Sequence, residues 1–135
     1  NRDNLQNVEF SELQMKLSRC ERTGAVRICR DGLAVCQATG EVSFQGIATR
    51  LPVYAARVLF RIVCDPGCVS KDQLVEWLVS ENPFAEPIYH HTVRKHVSHV
   101  RRLLLRSGIK VPIITRQAMG YEFAPGIIHA MRASR

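Results

Sequence analysis

The apolar residues change their spacing at Pro52, and this change restricts the fold more than any other feature of the chain. Before it, over residues 25–51, short apolar runs are separated by the turn signals Asp31-Gly32, Thr39-Gly40 and Gln45-Gly46. After it, apolar residues recur at spacings of three and four, as they do along one face of a helix. Strands this short cannot form a sandwich, so the pattern predicts a small antiparallel sheet packed against helices.

Three helices are predicted after the sheet. The first begins at Pro52 and ends at the Asp65-Pro66-Gly67 turn, because proline cannot continue a helix. The second begins at Ser70, a good N-cap that forms a capping-box pattern with Gln73. The third covers residues 88–107 and contains the most informative surface of the chain.

The third predicted helix is apolar on one side and basic on the other. Its apolar positions, spaced by four, three and four, are Val93, Val97, Val100 and Leu104. At roughly 100° per residue, the opposite face carries His91, Lys95, Ser98, His99 and Arg102, with Arg94 and Arg101 on its flanks. A helix of this kind has about the right width for the major groove of DNA.

The charge of the chain is concentrated around this helix. The net charge is +7, and residues 51–135 contribute +6 of it (twelve basic residues against six acidic ones). Residues 88–116 contain seven Lys or Arg residues and no acid. Solvated faces usually mix the two signs, so a segment of one sign indicates a partner that is a polyanion.

The first residues of the chain follow a different apolar pattern. Phe10, Leu13, Leu17 and Cys20 are spaced by three, four and three, which predicts an extra N-terminal amphipathic helix. The helix is interpreted as a linker or a dimerisation element, and the choice stays open. The predicted division of the chain is residues 1–23 for this helix, 24–126 for the main domain and 127–135 for a C-terminal tail.

Several classes of function lack the residues they need. No Gly-rich phosphate loop, nucleophile elbow or carboxylate pair is present, so we predict no enzyme, no catalytic residue and no cofactor. His96 and His99 share a helix face, but no acid or cysteine completes a metal-ligand set. The five cysteines fit neither a zinc ribbon nor a secreted disulfide framework and are predicted to be reduced. No apolar run approaches roughly 20 residues, so a cytoplasmic, nucleoid-associated protein without membrane contact is expected.

The ordered set of motifs from Gly32 to Ala124 resembles the winged helix-turn-helix effector domain of the OmpR/PhoB response-regulator family. "PGCVSKDQLVEWLV" resembles the short strand and second helix of that family, "HTVRKHVSHVRRLL" its recognition helix and "ITRQAMGYEF" its wing. The resemblance implies an α+β fold with an N-terminal antiparallel sheet, a three-helix core and a C-terminal β-hairpin wing. Residues 1–22 are too few for a receiver domain, so an effector domain without a receiver in this chain is expected.

The resemblance also implies roles for individual residues. Those expected to face base edges are Arg94, Lys95, Ser98 and His99, and the helix periodicity adds Arg102. Those expected to contact phosphates are His91, Thr92, His96, Arg101 and Tyr121. Arg116 matches the wing arginine, and Gln117 follows it at the wing tip. The loop that touches RNA polymerase in some members of the family corresponds here to a segment with Glu81, Phe84 and Glu86.

The predicted function is sequence-specific binding of double-stranded DNA by a bacterial transcription regulator. Helix 88–107 would enter the major groove, and wing 112–124 would contact the adjacent minor groove or the backbone. RNA polymerase and a second copy of the chain are further expected partners. The alternative is a winged-helix protein-interaction module, whose basic face meets RNA polymerase or an acidic protein and binds DNA weakly or without specificity.

Overall fold

The computed structural model describes residues 5–10, 15–20, 24–81, 87–110, 113–124 and 129–130. In these ranges the chain forms an N-terminal antiparallel sheet, then three helices, then a C-terminal hairpin. This confirms the predicted α+β architecture and its order of elements. The predicted N-terminal helix is the exception.

Six strands follow one another in chain order and form one antiparallel sheet. They are β1 (Leu5–Phe10), β2 (Met15–Cys20), β3 (Val26–Arg30), β4 (Leu33–Cys36), β5 (Glu41–Phe44) and β6 (Ile47–Arg50). The predicted turns at Asp31-Gly32 and Gln45-Gly46 are confirmed. Both residues of each pair have positive φ, which a tight two-residue hairpin turn of type I′ requires.

The prediction of an N-terminal helix is wrong, because its described residues lie in β1 and β2. Register with β3 places Leu17 opposite Ile28 and Met15 opposite Arg30, on the face of the sheet that packs inward. Met15 is only 4% exposed and belongs to the core. Leu13 lies in 11–14, outside the described residues. Pairing with β3 and burial of Met15 outweigh the weak helical spacing of the segment.

The three helices match the predicted positions to within two residues. They are α1 (Val53–Cys64), α2 (Lys71–Glu81) and α3 (His90–Arg106). The capping box at the start of α2 is confirmed, since Gln73 N–H donates to Ser70 Oγ (3.0 Å) and Ser70 N–H donates to Gln73 Oε1 (2.9 Å). The helix α1 contacts β3, β4, α2 and α3 and therefore lies at the centre of the core.

The wing is a hairpin of β9 (Ile113–Arg116) and β10 (Gly120–Phe123), in the predicted place. The strand β10 also pairs with β7 (Cys68–Val69), which leads into α2. A Cβ atom on Gly120 would lie 2.0 Å from Val69 O, so this close approach requires glycine. The wing is therefore fastened to the start of α2.

A short strand pair involves the predicted C-terminal tail. The strand β8 (Ile109–Lys110) pairs with β11 (His129–Ala130). Two residues of the predicted tail segment 127–135, His129 and Ala130, are therefore part of a strand pair. The other residues of that segment lie outside the described ranges.

A buried arginine joins the sheet to the first helix and to the wing. Arg30, on β3, is 4% exposed, and its Nη1 donates to Val63 O and Asp65 O, both at 3.0 Å. These carbonyl groups end α1, where a cation is favourable. The guanidinium also lies 5.0 Å from the centre of the Phe123 ring on β10. One side chain thus fixes three elements relative to one another.

Candidate nucleic-acid interface

The two faces of α3 are arranged as the sequence predicts. The residues buried against the core are Val93, Val97, Val100 and Leu104. The exposed residues include Arg94, Lys95, Ser98 and Arg102, while His99 is partly buried. We call these last five residues the outer face of α3. The first turn of α3 contains no acid, so no residue within that turn offsets the partial positive charge of the helix N-terminus.

The start of α3 uses two of the predicted phosphate-binding residues in contacts within the protein. The Thr92 hydroxyl accepts a hydrogen bond from the Tyr89 N–H at 3.4 Å and helps to cap the helix. The rings of Tyr89 and His91 stack with their centres 5.6 Å apart. His91 is exposed, so its ring is held in place without being removed from solvent.

Arg101 connects α3 to the wing. Its Nη2 donates to Ile113 O and, at 3.2 Å, to Thr115 Oγ1 on β9. The family resemblance implies a phosphate contact for this residue. The structure shows a role within the protein that spacing along α3 could not reveal, because both partners lie on another element. The guanidinium has five N–H groups, so donors remain for a ligand.

The wing holds its predicted residues in two different environments. Arg116 is half exposed, and its Nε donates to Glu122 Oε1 across the hairpin at 2.8 Å. Tyr121 is 3% exposed and packs in the core. Burial raises the pKa of the Tyr121 hydroxyl, an effect that the charges of Arg101 and Arg94 oppose. Tyr121 thus packs its ring in the core, and a phosphate contact by its hydroxyl stays a prediction.

His96 lies between the first and third helices. Its ring is 5.7 Å from that of Tyr54 on α1, and the Tyr54 ring in turn faces the Arg57 guanidinium at 5.8 Å. Burial lowers the pKa of His96, and the nearby His99 and Lys95 lower it further. The His96 ring therefore forms part of the contact between α1 and α3, in addition to its predicted place near phosphates.

A cleft of about 290 Å³ separates the wing tip from the starts of α2 and α3. His90 lies on one wall, where its Nε2 is 2.6 Å from Asp72 Oδ1 on α2. Lys71 and Met119 also line the cleft. Sequence reasoning did not single out Asp72, because its partner is eighteen positions away on another helix. Only its place in the first turn of α2, where acids are favourable, was visible in the sequence.

Further predictions concern the polymerase loop, metal binding, the cysteines and the membrane. The side chains of Glu81, Phe84 and Glu86 lie outside the described residues.

Among the residues that are described, no three His, Cys, Asp or Glu side chains are placed to hold a metal ion. Cys29, Cys36, Cys64 and Cys68 are free thiols, and burial raises the pKa of Cys64 to about 12. No helix within the described ranges combines the length and apolar character that a membrane span requires.

A three-helix core whose third helix is flanked by a β-hairpin defines the winged helix-turn-helix fold. The DNA-binding domain of E. coli CadC has a TM-score of 0.53 with this chain at 19% identity, over 69% of this chain and 86% of that one. The response regulator AdeR DNA-binding domain, solved in complex with an intercistronic region, has a TM-score of 0.56 at 19% identity, over 68% and 93%. No family model matches, and no curated protein gives a significant match. At this identity the likeness establishes the shared fold.

Proposed function

We propose that this chain binds double-stranded DNA as the effector domain of a bacterial transcription regulator, with α3 in the major groove. The observation that carries the proposal is the outer face of α3. It presents Arg94, Lys95 and Arg102 to solvent in a segment, residues 88–116, that contains no acid. A cationic helix face with hydrogen-bonding side chains suits both the charge and the width of the major groove.

The position of the wing supports the same arrangement. Arg101 joins the wing to α3, so the hairpin and the helix form one rigid surface. A helix in the major groove would then bring the wing to the neighbouring backbone or minor groove, where Arg116 is available through its remaining donors. The fold shared with the CadC and AdeR DNA-binding domains agrees with this proposal.

We propose individual roles that agree with the exposure of the side chains. Lys95 and Ser98 are exposed and face away from the core, so we assign them to base edges together with Arg94, His99 and Arg102. Thr92, His96 and Arg101 lie nearer the packed side of the helix, and together with the exposed His91 we assign them to phosphates. Sequence-specific recognition is part of the proposal, and so is contact with RNA polymerase or a second copy of the chain.

The test is binding to a duplex of mixed sequence at several salt concentrations. If about five phosphates are neutralised, log K plotted against log salt concentration should have a slope near −4.5. The matched variant replaces Arg94, Lys95 and Arg102, which are assigned to base edges, by glutamine; it should keep the melting temperature and weaken binding, while the slope changes little because the phosphate contacts are kept. Absence of binding at low salt, or binding that salt does not change, would contradict the proposal and favour a protein-interaction module.

A further inference from the structure

The tip of the wing is exposed and carries no charge. Residues 117–119 form a turn in which the Met119 N–H donates to Arg116 O at 2.9 Å. Met119 is 64% exposed, the highest value among the large apolar residues that the structure describes. Gln117 and Ala118 are neutral, and Arg116 at the base of the turn is paired with Glu122. A tip that only contacted the phosphate backbone of DNA would be expected to carry a cation, but this tip carries an exposed apolar side chain instead.

The tip is also held firmly. Gly120 lies against the backbone of Val69 with no space for a side chain, and β10 pairs with both β7 and β9. Arg101 attaches the other strand of the wing to α3. The turn contains Ala118 at a φ of 66°, a conformation that L-residues adopt at some cost. A short turn between strands fixed on both sides cannot fold Met119 back into the core.

Met119 lies across a cleft from the starts of α2 and α3. Lys71 and the Asp72–His90 pair line the same cleft. The wing tip and the first turn of α3 therefore face the same side of the molecule. A polyanion bound along the outer face of α3 would reach Met119 as it continues past the wing.

We propose that Met119 inserts as a wedge between two stacked base pairs from the minor groove and bends the bound duplex. This inference rests on the proposed DNA binding. Apolar side chains of this size are able to unstack a base step, and methionine is unbranched and polarisable, so it adapts to the gap between bases. Flexible pyrimidine–purine steps resist such insertion least, so Met119 would favour TA and CA/TG steps at the position that the wing reaches.

The mechanism assigns different tasks to neighbouring residues. Arg116 would hold the backbone, while Met119 would contact the bases through their stacked faces. Preference for a deformable step would then add to the specificity of the outer face of α3 without any hydrogen bond to a base edge. The alternative is that the exposed methionine binds a protein partner. In that case it would have no effect on the shape of DNA, so measuring the bend distinguishes the wedge from a protein contact.

The experiment measures the bend directly in a mixed-sequence duplex that contains TA and CA/TG steps and carries a donor and an acceptor dye at its ends. The proteins are the parent chain, Met119→Gln, Met119→Leu and, as a control at an exposed apolar residue near the end of α2, Val79→Gln. Energy transfer between the two dyes, measured at saturating protein concentration, reports the distance between the ends of the duplex. A second duplex with 2-aminopurine at a TA step reports unstacking through its fluorescence. Thermal melting of each variant checks that the fold is unchanged.

We expect the parent, Met119→Leu and Val79→Gln to bend the duplex and to raise the 2-aminopurine signal. Met119→Gln should lose both effects and bind roughly five- to tenfold more weakly, with the same slope against salt because no phosphate contact is removed. Equal bending by the parent and Met119→Gln, or binding by the parent without any bend, would overturn the wedge and leave DNA binding intact. A parent that binds no duplex even at low salt would instead overturn the proposed function together with this inference.

Discussion

The inner and outer faces of α3 differ in almost every physical property, although they belong to the same helix. On the inner face, Val93, Val97, Val100 and Leu104 are removed from solvent and contact the core. On the outer face, Arg94, Lys95 and Arg102 are in solvent, and the surrounding segment contains no acid. Substitutions one position apart on α3 should therefore change different measured quantities. Inner-face changes should alter the free energy of unfolding, and outer-face changes should alter DNA binding.

The largest expected effect is that of Val97→Asp. The aspartate would place an unpaired charge in the core, which should lower the free energy of unfolding by about 4 kcal/mol or more, a large part of the roughly 5–15 kcal/mol of a typical domain. Chemical denaturation of the variant and the parent measures the loss. A midpoint equal to that of the parent would show that the faces are assigned the wrong way round.

The matched control for that substitution is Ser98→Asp, the same new charge one residue along the helix. Ser98 is exposed, so its change should leave the free energy of unfolding within about 0.5 kcal/mol of the parent value. The new carboxylate should nevertheless weaken DNA binding, because it would face phosphates or base edges. If both variants unfold, the comparison between the faces fails.

Lys95→Ala should change specificity rather than stability. Lys95 lies opposite the buried stripe, where its ammonium group is able to donate to guanine O6 or N7. Its loss should cost about 1–3 kcal/mol at one base position and relax the preference there. Selection of preferred sites from random DNA by the parent and the variant measures this. An unchanged site preference would mean that Lys95 does not face the bases.

Arg101→Ala tests the boundary between the two faces. Loss of the hydrogen bonds to Ile113 O and Thr115 Oγ1 should lower the free energy of unfolding by about 1–2 kcal/mol. Binding should weaken about equally for all sequences, and the salt slope should fall by about one. Arg102→Ala, its exposed neighbour, should keep the melting temperature of the parent. If Arg101→Ala also keeps it, the connection between α3 and the wing contributes nothing to stability.

The smallest effect is the pH dependence that His96 contributes. Its folded-state pKa lies below the ordinary value, mainly because of burial, so the unfolded chain binds the proton more tightly. Stability from this residue is therefore present above pH about 6.5 and is lost as the pH falls from there towards the lowered pKa. Melting temperatures of the parent and His96→Gln across this range should converge as the pH falls, with Ser98→Ala as the control. Parallel curves for His96→Gln and the parent would contradict the prediction.

The wing and the N-terminal hairpin show how far the sequence alone determines local structure. The wing was predictable because a glycine-containing turn separates two apolar runs. The N-terminal hairpin was predicted as a helix because Leu17 fits an apolar spacing of three or four as well as it fits an inward-facing strand position. The deciding contact, Leu17 opposite Ile28, comes from pairing with β3 and not from the segment itself. Local spacing was ambiguous there, and a tertiary contact resolved it.

The candidate site shows the same limit. The buried and exposed sides of α3 follow from its period, so the positions of Val97 and Lys95 were predictable. The contacts of Arg101 and Arg30 were not, because their partners are twelve or more positions away. Long cationic side chains make such contacts wherever the fold brings a carbonyl group near, and no spacing rule along the chain identifies the partner.

The order of the strands has a consequence for how this surface forms. Each strand from β1 to β6 pairs with the next along the chain, so every step of the sheet closes only a short segment. The wing closes a much longer segment, because α2 and α3 both lie between Val69 and its pairing partner Tyr121 in the sequence. Such non-local pairing is slow and costs more chain entropy before any contact forms. We therefore expect the sheet to appear early in refolding and the wing to dock last, so that the surface shared by α3 and the wing tip exists only when the whole chain has folded.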